Sequence, residues 1–412
     1  MTTDLNTEIT IDQLGAAGDG IANASGAPIY AAFTLPGEVV SGEIANNRLS
    51  SPSIITASPD RQKPLCQHFA ACGGCALQHA NDDFVAGWKR DQIAKRLSQQ
   101  GVPVADIRPT ITSAPFSRRR ATFTARRTKK TVQVGFHRHK SDEVIPLTEC
   151  HVLHPDLLAA RLPIQDAAKL GASRKGAIKA QVTLTEGGLD IAVSEAKPLE
   201  ERFAEAAALA ETHDLARLTW NGETVVTRRL PYIRFGTANV APPSGGFLQA
   251  TEDGEAALVA AAIEAAGNAK RYIDLFAGCG TFALHFASKG EVHAAENDQA
   301  ALAALDKGWR NSTGMSLVTT EVRDLFRRPV WAAELNEFQA AIIDPPRAGA
   351  EAQMAEIAKS ELTRLAAISC DPATFARDAA ILKAGGWTLD WVQPVDQFRW
   401  SPHIELAARF SR

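Results

Sequence analysis

Residues 274–283 read Asp-Leu-Phe-Ala-Gly-Cys-Gly-Thr-Phe-Ala and continue an apolar run that begins at Tyr272. The glycines at 278 and 280 permit a tight turn and let a ligand approach the backbone before a helix begins. Glu296 ends the next apolar run, where an acid can accept both hydrogen bonds of a ribose diol. Alone, this stretch also fits a dinucleotide fingerprint, Gly-x-Gly-x-x-Ala, so a nicotinamide-dependent oxidoreductase remains an alternative.

The surrounding sequence is a regular alternation of apolar runs and helical segments from about Phe247 onward. The runs are Tyr272–Phe276, Val292–Ala295, Leu317–Val322, Ala340–Ile343 and Leu365–Ser369. This alternation predicts an α/β domain over residues 241–412, with a parallel, Rossmann-like sheet covered by helices on both faces.

The fourth run ends in Asp344-Pro345-Pro346-Arg347. Two consecutive prolines stiffen the strand exit and remove two backbone donors, which presents Asp344 at the carboxyl edge of the sheet. In nucleic-acid methyltransferases, the target base meets the methyl donor at this edge. Enzymes that attack exocyclic amines typically carry an aromatic residue after the second proline, so Arg347 favours attack by a ring carbon.

The fifth run leads directly into Cys370-Asp371-Pro372. Asp371 and Pro372 read as the N-cap and first position of a helix. The helix dipole favours a thiolate at Cys370, although the adjacent Asp371 opposes it. A buried free cysteine is the alternative reading, but its place one strand from Asp344 favours a nucleophile.

A cysteine nucleophile suits one reaction in particular, because C5 of uracil is too weak a nucleophile to accept a methyl group unaided. Thiolate addition at C6 activates C5, and a base must afterwards remove the C5 proton. Glu405, which opens the last apolar strand, is the best candidate for that base, and a surface glutamate is the alternative.

A basic segment suggests an RNA partner despite the net charge of -3. Between Ile111 and Lys140 there is no acid, and Phe116, Phe123 and Phe136 are interleaved with nine cations. These cations are Arg118, Arg119, Arg120, Arg126, Arg127, Lys129, Lys130, Arg138 and Lys140. Such a mixture suits phosphate contacts and base stacking, so we favour RNA contact over a solvated strand surface.

The rest of the chain predicts two further domains. Residues 1–58 read as short strands broken by glycines, which indicates a small β-barrel, and residues 59–240 as a central β-rich domain with helices around Leu157 and Phe203. The latter begins with a cysteine cluster and a helix over Asp83–Gln99. Met1–Thr10 lacks the features of a signal peptide and no apolar run is long enough to span a membrane, so we expect a cytoplasmic protein with reduced thiols.

The cluster comprises Cys66, Cys72 and Cys75, with Cys150 far downstream. Four thiolates suit either zinc or an iron-sulfur cluster, and the spacing alone does not assign the fourth ligand. The remaining cysteine, Cys279, is expected to pack as a small apolar residue.

Taken together, these motifs resemble the RNA uracil-5-methyltransferase family, specifically its bacterial 23S rRNA branch, over nearly the whole chain. The resemblance implies a class I methyltransferase domain, a TRAM-type RNA-binding barrel at residues 1–58, and a monomer. It also implies a 4Fe-4S cluster on Cys66, Cys72, Cys75 and Cys150. The implied nucleophile is Cys370 and the implied base Glu405. Residues implied around S-adenosylmethionine are Gln249, Phe276, Gly278, Thr281, Glu296, Asp324 and Asp344.

Two positions depart from the family pattern. Asp371 replaces the usual asparagine after the nucleophile, and Thr281 replaces an asparagine of the donor loop. Neither change removes a reacting group. A tRNA uracil-5-methyltransferase is the alternative substrate class, and an inactive RNA-binding or redox-sensing scaffold would predict damage to the catalytic set, which the sequence does not show.

Overall fold

The computed structural model describes residues 7–24 and 26–412, so the predicted stretch Met1–Thr10 lies partly outside the described residues. The N-terminal strands form one six-stranded sheet in the order β1-β5-β6-β4-β3-β2. These strands are β1 (Thr7–Thr10), β2 (Gln13–Leu14), β3 (Gly20–Ala24), β4 (Ala27–Ala31), β5 (Val39–Ala45) and β6 (Arg48–Thr56). Ile11, Ala31 and Val40 are buried in its small core. The predicted short strands are confirmed, and closure into a barrel stays a prediction.

The central sheet has seven strands in the order β11-β10-β9-β12-β13-β14-β15. Its elements are β9 (Arg120–Arg127), β10 (Val132–His137), β11 (Val144–Pro146), α2 (Pro155–Ala159), α3 (Arg161–Gly171), β12 (Ala177–Thr185), β13 (Gly188–Ser194), α4 (Phe203–Thr212), β14 (Arg217–Trp220) and β15 (Glu223–Thr227). Helices α2 and α4 lie where the sequence predicts them, around Leu157 and Phe203. Apolar residues of the sheet and these helices form one core.

The C-terminal sheet runs in the order β20-β19-β18-β21-β22-β24-β23-β7, where β7 is the short strand Asp106–Ile107. Its strands are β18 (Arg271–Leu275), β19 (Glu291–Glu296), β20 (Val318–Val322), β21 (Ala340–Ile343), β22 (Arg364–Ser369), β23 (Thr388–Asp396) and β24 (Glu405–Ser411). Its helices are α5 (Glu252–Ala266), α6 (Ala283–Phe286), α7 (Gln299–Arg310), α8 (Ala332–Leu335), α9 (Glu351–Lys359) and α10 (Pro372–Ala384). The five predicted strands pair in parallel, and β24 pairs antiparallel with both β22 and β23.

Two hydrophobic cores cover this sheet, as a doubly wound arrangement requires. One contains residues of α5, α6 and α7, together with β16 (Ile233–Phe235) and β17 (Ala238–Val240). The other contains residues of α9, α10 and α1 (Asp82–Gln99). The sheet is thus buried on both faces, and its carboxyl edge remains for chemistry.

Residues 82–112 pack against the C-terminal sheet although they precede the central sheet in the chain. Two short strands, β7 (Asp106–Ile107) and β8 (Ile111–Thr112), pair in parallel with β23. Ile93 and Leu97 of α1 lie in the same core as α10. The helix was expected from the sequence, whereas its packing partner was not. Within the described residues, no helix has the length and apolarity needed to cross a membrane.

Candidate active site

A tight turn joins β18 to α6 and carries the two glycines of the quoted stretch. Gly278 and Gly280 have φ angles of 55° and 96°, in the region that favours glycine. A Cβ atom on Gly280 would lie 2.7 Å from Leu305 Cγ of α7, so close packing requires this glycine. A Cβ atom on Gly278 would meet no atom within 4 Å, so a ligand could approach the backbone there.

Glu296, the last residue of β19, faces this turn. One carboxylate oxygen accepts a hydrogen bond from Gly278 N at 3.0 Å, and the other accepts bonds from Asn297 N at 2.6 Å and Asp298 N at 2.9 Å. Because each carboxylate oxygen can accept more than one bond, these amides fix the orientation of Glu296 without exhausting its capacity for hydroxyl donors.

The structure places three other candidates near the same edge. Asp324 follows β20, and its Oδ1 accepts a hydrogen bond from Phe326 N at 3.0 Å. Phe276 has a φ of 62°, and its ring centroid lies 5.4 Å from that of Phe326. Thr281 precedes α6 and uses its carbonyl oxygen to accept a bond from His285 Nδ1 at 2.7 Å. Their contacts with a methyl donor stay a prediction.

Gln249 links the segment before α5 to the exit of β21. Its side chain is only 2% exposed, and its Nε2 donates to Asp344 Oδ2 at 3.4 Å. Its Oε1 accepts a bond from Gln397 Nε2 at 2.6 Å. Sequence reasoning did not single out Gln397, which carries no motif and becomes visible only through this contact.

Strand register brings Cys370 and Glu405 together. In the antiparallel pair of β22 and β24, Ser369 is the partner of Leu406. The residue after Ser369, Cys370, therefore faces the residue before Leu406, Glu405, at the sheet edge. The predicted cap is confirmed, since Asp371 accepts hydrogen bonds from Ala373 N at 2.8 Å and Thr374 N at 3.2 Å, with Pro372 opening α10.

Burial sets the protonation of these groups. Burial, reinforced by Glu405 and Asp344, raises the pKa of the Cys370 thiol to about 11. Burial raises the pKa of Asp344 to about 7, and burial with the charge of Asp344 raises the pKa of Glu405 to about 8. The expected thiolate-promoting effect of the helix N-terminus is therefore outweighed, and Asp371 already occupies its first free amides.

The basic segment needs a correction at Arg119. This side chain is buried, and its Nη2 pairs with Glu255 at 2.6 Å while its Nε donates to the carbonyl oxygen of Gln249 at 3.2 Å. Arg119 therefore holds the Gln249 segment and does not face RNA. The sequence contained a signal for the burial of Arg119. This residue alternates with the apolar residues Ala121 and Phe123, and all three are buried.

The aromatic residues of the segment need a similar correction. Phe123 is fully buried, and its ring stacks on that of Phe136 with centroids 5.3 Å apart. Only Phe116 is exposed, at 44%, so the predicted base-stacking set reduces to one ring. Arg138 pairs with Glu143, which lies just beyond the acid-free stretch, at 2.6 Å.

The four cysteines Cys66, Cys72, Cys75 and Cys150 line one cavity of about 450 Å³. Gly73 N donates to His137 O at 2.9 Å, which docks the cysteine loop on the end of β10. Burial raises the pKa of the Cys75 thiol to about 12, and the other three thiols add to this effect. Across residues 7–24 and 26–412, no group of three or more His, Cys, Asp or Glu side chains could hold a metal ion. Cys279 is buried in the core, as expected.

The same cavity extends to the carboxyl edge of the C-terminal sheet, where Arg347 and His403 line it. Arg347 Nη2 lies 3.2 Å from His403 Nδ1. Trp400, in the loop that leads to Glu405, accepts hydrogen bonds on its carbonyl oxygen from Ala76 N and Leu77 N, both at 2.9 Å. The cysteine loop and the loop before Glu405 are therefore in direct contact.

The C-terminal domain thus combines a doubly wound sheet, a glycine-rich turn and a cysteine that faces a carboxylate at the carboxyl edge, which is the arrangement that the sequence motifs predicted for a methyltransferase. A family profile described as tRNA (Uracil-5-)-methyltransferase matches residues 242–412. An uncharacterized RNA methyltransferase of Brucella suis is 46% identical to the chain, with coverage of 99% of this chain and 98% of the relative. The chain belongs to the family of RNA methyltransferases that this relative represents, and its C-terminal part matches the uracil-5-methyltransferase profile.

Two more distant proteins extend the likeness over the full length. The 23S rRNA (uracil(1939)-C(5))-methyltransferase RlmD of Erwinia tasmaniensis is 28% identical and is covered over 98% of its length. The Pyrococcus abyssi tRNA (uracil-54, C5)-methyltransferase, solved with S-adenosyl-L-homocysteine, aligns with a TM-score of 0.76 at 20% identity, covering 98% of this chain and 99% of that one. The second likeness shows that the two chains share a fold.

Proposed function

We propose that this enzyme methylates C5 of a uridine in RNA, with S-adenosylmethionine as donor and a covalent adduct between Cys370 and C6 of the base. The observation that carries the proposal is the register that sets Cys370 against Glu405, beside Asp344 and Gln249. A nicotinamide-dependent oxidoreductase would leave this pairing of cysteine and carboxylate without a role.

The chemistry balances with these two residues. Cys370 loses its proton and its sulfur bonds to C6, which leaves an enolate at C5. The enolate takes the methyl group from the sulfonium, whose S–CH3 bond breaks to give S-adenosylhomocysteine. Glu405 removes the C5 proton, the C6–S bond breaks, and the thiolate is released. One proton is lost overall for each methyl group transferred.

The carboxylates at the carboxyl edge of the C-terminal sheet suit a positively charged methyl donor. In the proposed complex Glu296 accepts the ribose hydroxyls, while Gln249, Phe276, Gly278, Thr281, Asp324 and Asp344 surround the rest of the donor. A sulfonium next to Asp344 would favour the ionised forms of Asp344 and Glu405. Donor binding would therefore prepare the base for its task.

The methylation rate should depend steeply on pH. We expect kcat to rise with pH up to about 8, the pKa of Glu405, because only its carboxylate accepts the C5 proton that must leave after methyl transfer. The ratio kcat/KM covers only the steps up to methyl transfer, so it should follow the Cys370 thiolate and keep rising towards the pKa of that thiol, about 11. Initial rates between pH 6 and 9.5 would test this, and a kcat or kcat/KM that is already constant below pH 6.5 would contradict it.

For the substrate we propose 23S rRNA, supported by the full-length likeness to the Erwinia enzyme. A tRNA is the competing class, named both by the family profile and by the Pyrococcus enzyme. Purified enzyme with methyl-labelled donor should be offered 23S rRNA and tRNA from cells that lack it, with nucleosides then analysed by mass spectrometry. Label in 5-methyluridine supports the activity, the RNA fraction identifies the substrate class, and label in another nucleoside would overturn the proposal.

For the cysteine cavity we propose a 4Fe-4S cluster held by Cys66, Cys72, Cys75 and Cys150. A single zinc ion binds thiolates at about 2.3 Å, which requires sulfur atoms in close mutual proximity. No such compact group exists among the described residues, yet all four thiols border one cavity. What supports a cluster bound by all four thiols is the cavity that they share. When bound, such a cluster would hold the cysteine loop in place against β10 and Trp400.

We expect protein purified without oxygen to be brown and to contain iron and acid-labile sulfide. Replacing Cys72 with Ala should remove most of the colour and iron, because it removes one of four ligands. Replacing Cys279 with Ala is the matched control and should leave the iron content unchanged. Stoichiometric zinc in the anaerobic protein would contradict the cluster.

For RNA contact we propose the exposed part of the basic segment and the N-terminal sheet, which we interpret as a TRAM-type module. Lys129, Lys130 and Lys140 are exposed. Phe247 is 64% exposed, and the Cζ atom of Arg120 lies over its ring, 5.7 Å from the ring centroid. These groups can meet phosphate and base without disturbing a core.

A further inference from the structure

Gln397 lies directly after β23, between the two halves of the site. Its side chain is 1% exposed, so each of its polar atoms requires a partner within the protein. The residue is not a candidate for direct contact with the reacting atoms. Its neighbours, however, are the segment that carries Gln249 and the carboxylate of Glu405.

The hydrogen bonds of Gln397 fix which way its amide points. Its Oε1 accepts bonds from Ala250 N at 2.8 Å and Thr251 N at 3.4 Å. Backbone N–H groups can only donate, so the oxygen must face them and the NH2 group must face the other way. There it meets Gln249 Oε1 at 2.6 Å.

The orientation of the Gln397 amide also fixes the orientation of the Gln249 amide. Because Gln249 Oε1 receives the bond from Gln397, the Nε2 of Gln249 must face Asp344, whose Oδ2 lies 3.4 Å away. Turned the other way, Gln249 would present an oxygen to a carboxylate and an NH2 group to the NH2 group of Gln397. Both contacts would be repulsive, so the network allows one arrangement.

Building on the proposed function, we propose that Gln397 is a positioning residue for methyl transfer: it holds Gln249 with its amide NH2 directed at Asp344. The hydrogen-bond chain Gln397–Gln249–Asp344 thereby keeps a donor group fixed at the place where the sulfonium and the base must meet. The amide of Gln397 also lowers the pKa of Glu405, against the opposing effect of burial.

A purely structural role is the competing explanation, since Gln397 also ties down Ala250 and Thr251. Two substitutions separate the roles. Gln397→Met keeps the length of the side chain and removes every hydrogen bond. Gln397→Glu keeps an acceptor for the two backbone amides, but once it is ionised at high pH its carboxylate cannot donate to Gln249, which should then turn its NH2 group away from Asp344.

We expect both variants to lower kcat/KM by about tenfold or more, as misplacement of a positioning group does, with little change in RNA affinity. The melting temperature of Gln397→Glu should lie closer to that of the wild-type protein than the melting temperature of Gln397→Met does. In Gln397→Met the rise of kcat with pH should also move to higher pH, since Glu405 loses a polar neighbour that favours its ionised form. If Gln397 only held the backbone of Ala250 and Thr251 in place, Gln397→Met would lower the melting temperature without moving the pH profile.

The matched control is Gln393→Met, the same change at a buried glutamine of β23 whose Nε2 donates to Pro109 O at 2.8 Å, away from the site. It should retain wild-type kcat/KM. A double variant with Gln249→Ala completes the cycle, because removal of Gln397 should lower kcat/KM less once its target amide is gone.

Two measurements separate failure of this inference from failure of the proposed function. Wild-type protein must form 5-methyluridine, and if it does not, the proposed function fails. Affinity for S-adenosylhomocysteine, measured by calorimetry, reports on the donor site independently of turnover and should fall in Gln397→Met, and the same change should lower it less in the presence of Gln249→Ala. Wild-type kcat/KM and affinity in Gln397→Met, or additive effects in the cycle, would overturn the inference.

Discussion

We expect the Glu405→Gln variant to accumulate a covalent complex between protein and RNA that survives denaturing electrophoresis. Cys370 can still add to C6 and C5 can still take the methyl group, but the amide cannot remove the C5 proton, so elimination stops. The trapped complex should carry label from the donor methyl group. Turnover should fall by about a hundredfold to ten-thousandfold, the usual contribution of a general base.

The matched variant is Cys370→Ala, which should bind RNA and donor but form neither 5-methyluridine nor any stable complex. Combining Cys370→Ala with Glu405→Gln should abolish the adduct, which shows that the trapped bond runs through Cys370. Normal turnover by Glu405→Gln would assign the base to another group. Methylation at C5 by Cys370→Ala would disprove the covalent mechanism.

The second large effect concerns stability, and it comes from a buried ion pair that joins α1 to β23. Lys89 and Asp396 are 0% and 1% exposed, and Lys89 Nζ lies 2.6 Å from Asp396 Oδ1. Burial lowers the pKa of Lys89 and raises that of Asp396, while each partner counteracts the shift of the other. The pair is therefore held in its charged form by mutual attraction, together with the bond from Lys89 Nζ to Phe398 O at 3.3 Å and the bond from Phe398 N to Asp396 Oδ1 at 3.0 Å.

We expect Lys89→Met to destabilise the protein by about 3 to 5 kcal/mol, because it leaves the Asp396 carboxylate buried without a counter-charge. Asp396 precedes Gln397, so activity should fall as well. Chemical denaturation, followed in the transition of the C-terminal domain, measures the effect. Lys95→Met, an exposed position on the same helix, should change stability by about 0.5 kcal/mol or less.

The double variant Lys89→Met with Asp396→Asn tests the cause. The asparagine keeps an acceptor for Phe398 N, which lies 3.0 Å from Asp396 Oδ1, and removes the unpaired charge. Most of the lost stability should return. If the double variant is as unstable as Lys89→Met, the loss comes from packing of the lysine stem and not from the charge.

The sequence by itself determined the class of the C-terminal domain and predicted its reacting residues. Alternating runs predicted the five parallel strands, and the motifs at their ends identified Asp344, Cys370 and Glu296 as edge residues. This works because the signals are local: strand ends, glycine turns and helix caps are specified by neighbouring residues. From the sequence, Glu405 could equally be a surface glutamate. The register of β24 is what sets it opposite Cys370.

Only the tertiary structure decided which polar side chains serve the site and which serve the fold. Arg119 reads as an RNA contact in a cationic run, yet it is buried against Glu255, 136 positions away in the chain. Gln397 and Lys89 carry no motif, and their partners lie 148 and 307 positions away. The physical reason is that burial of a polar group depends on elements that meet only after folding, and a buried polar group must find its partner wherever the fold places one.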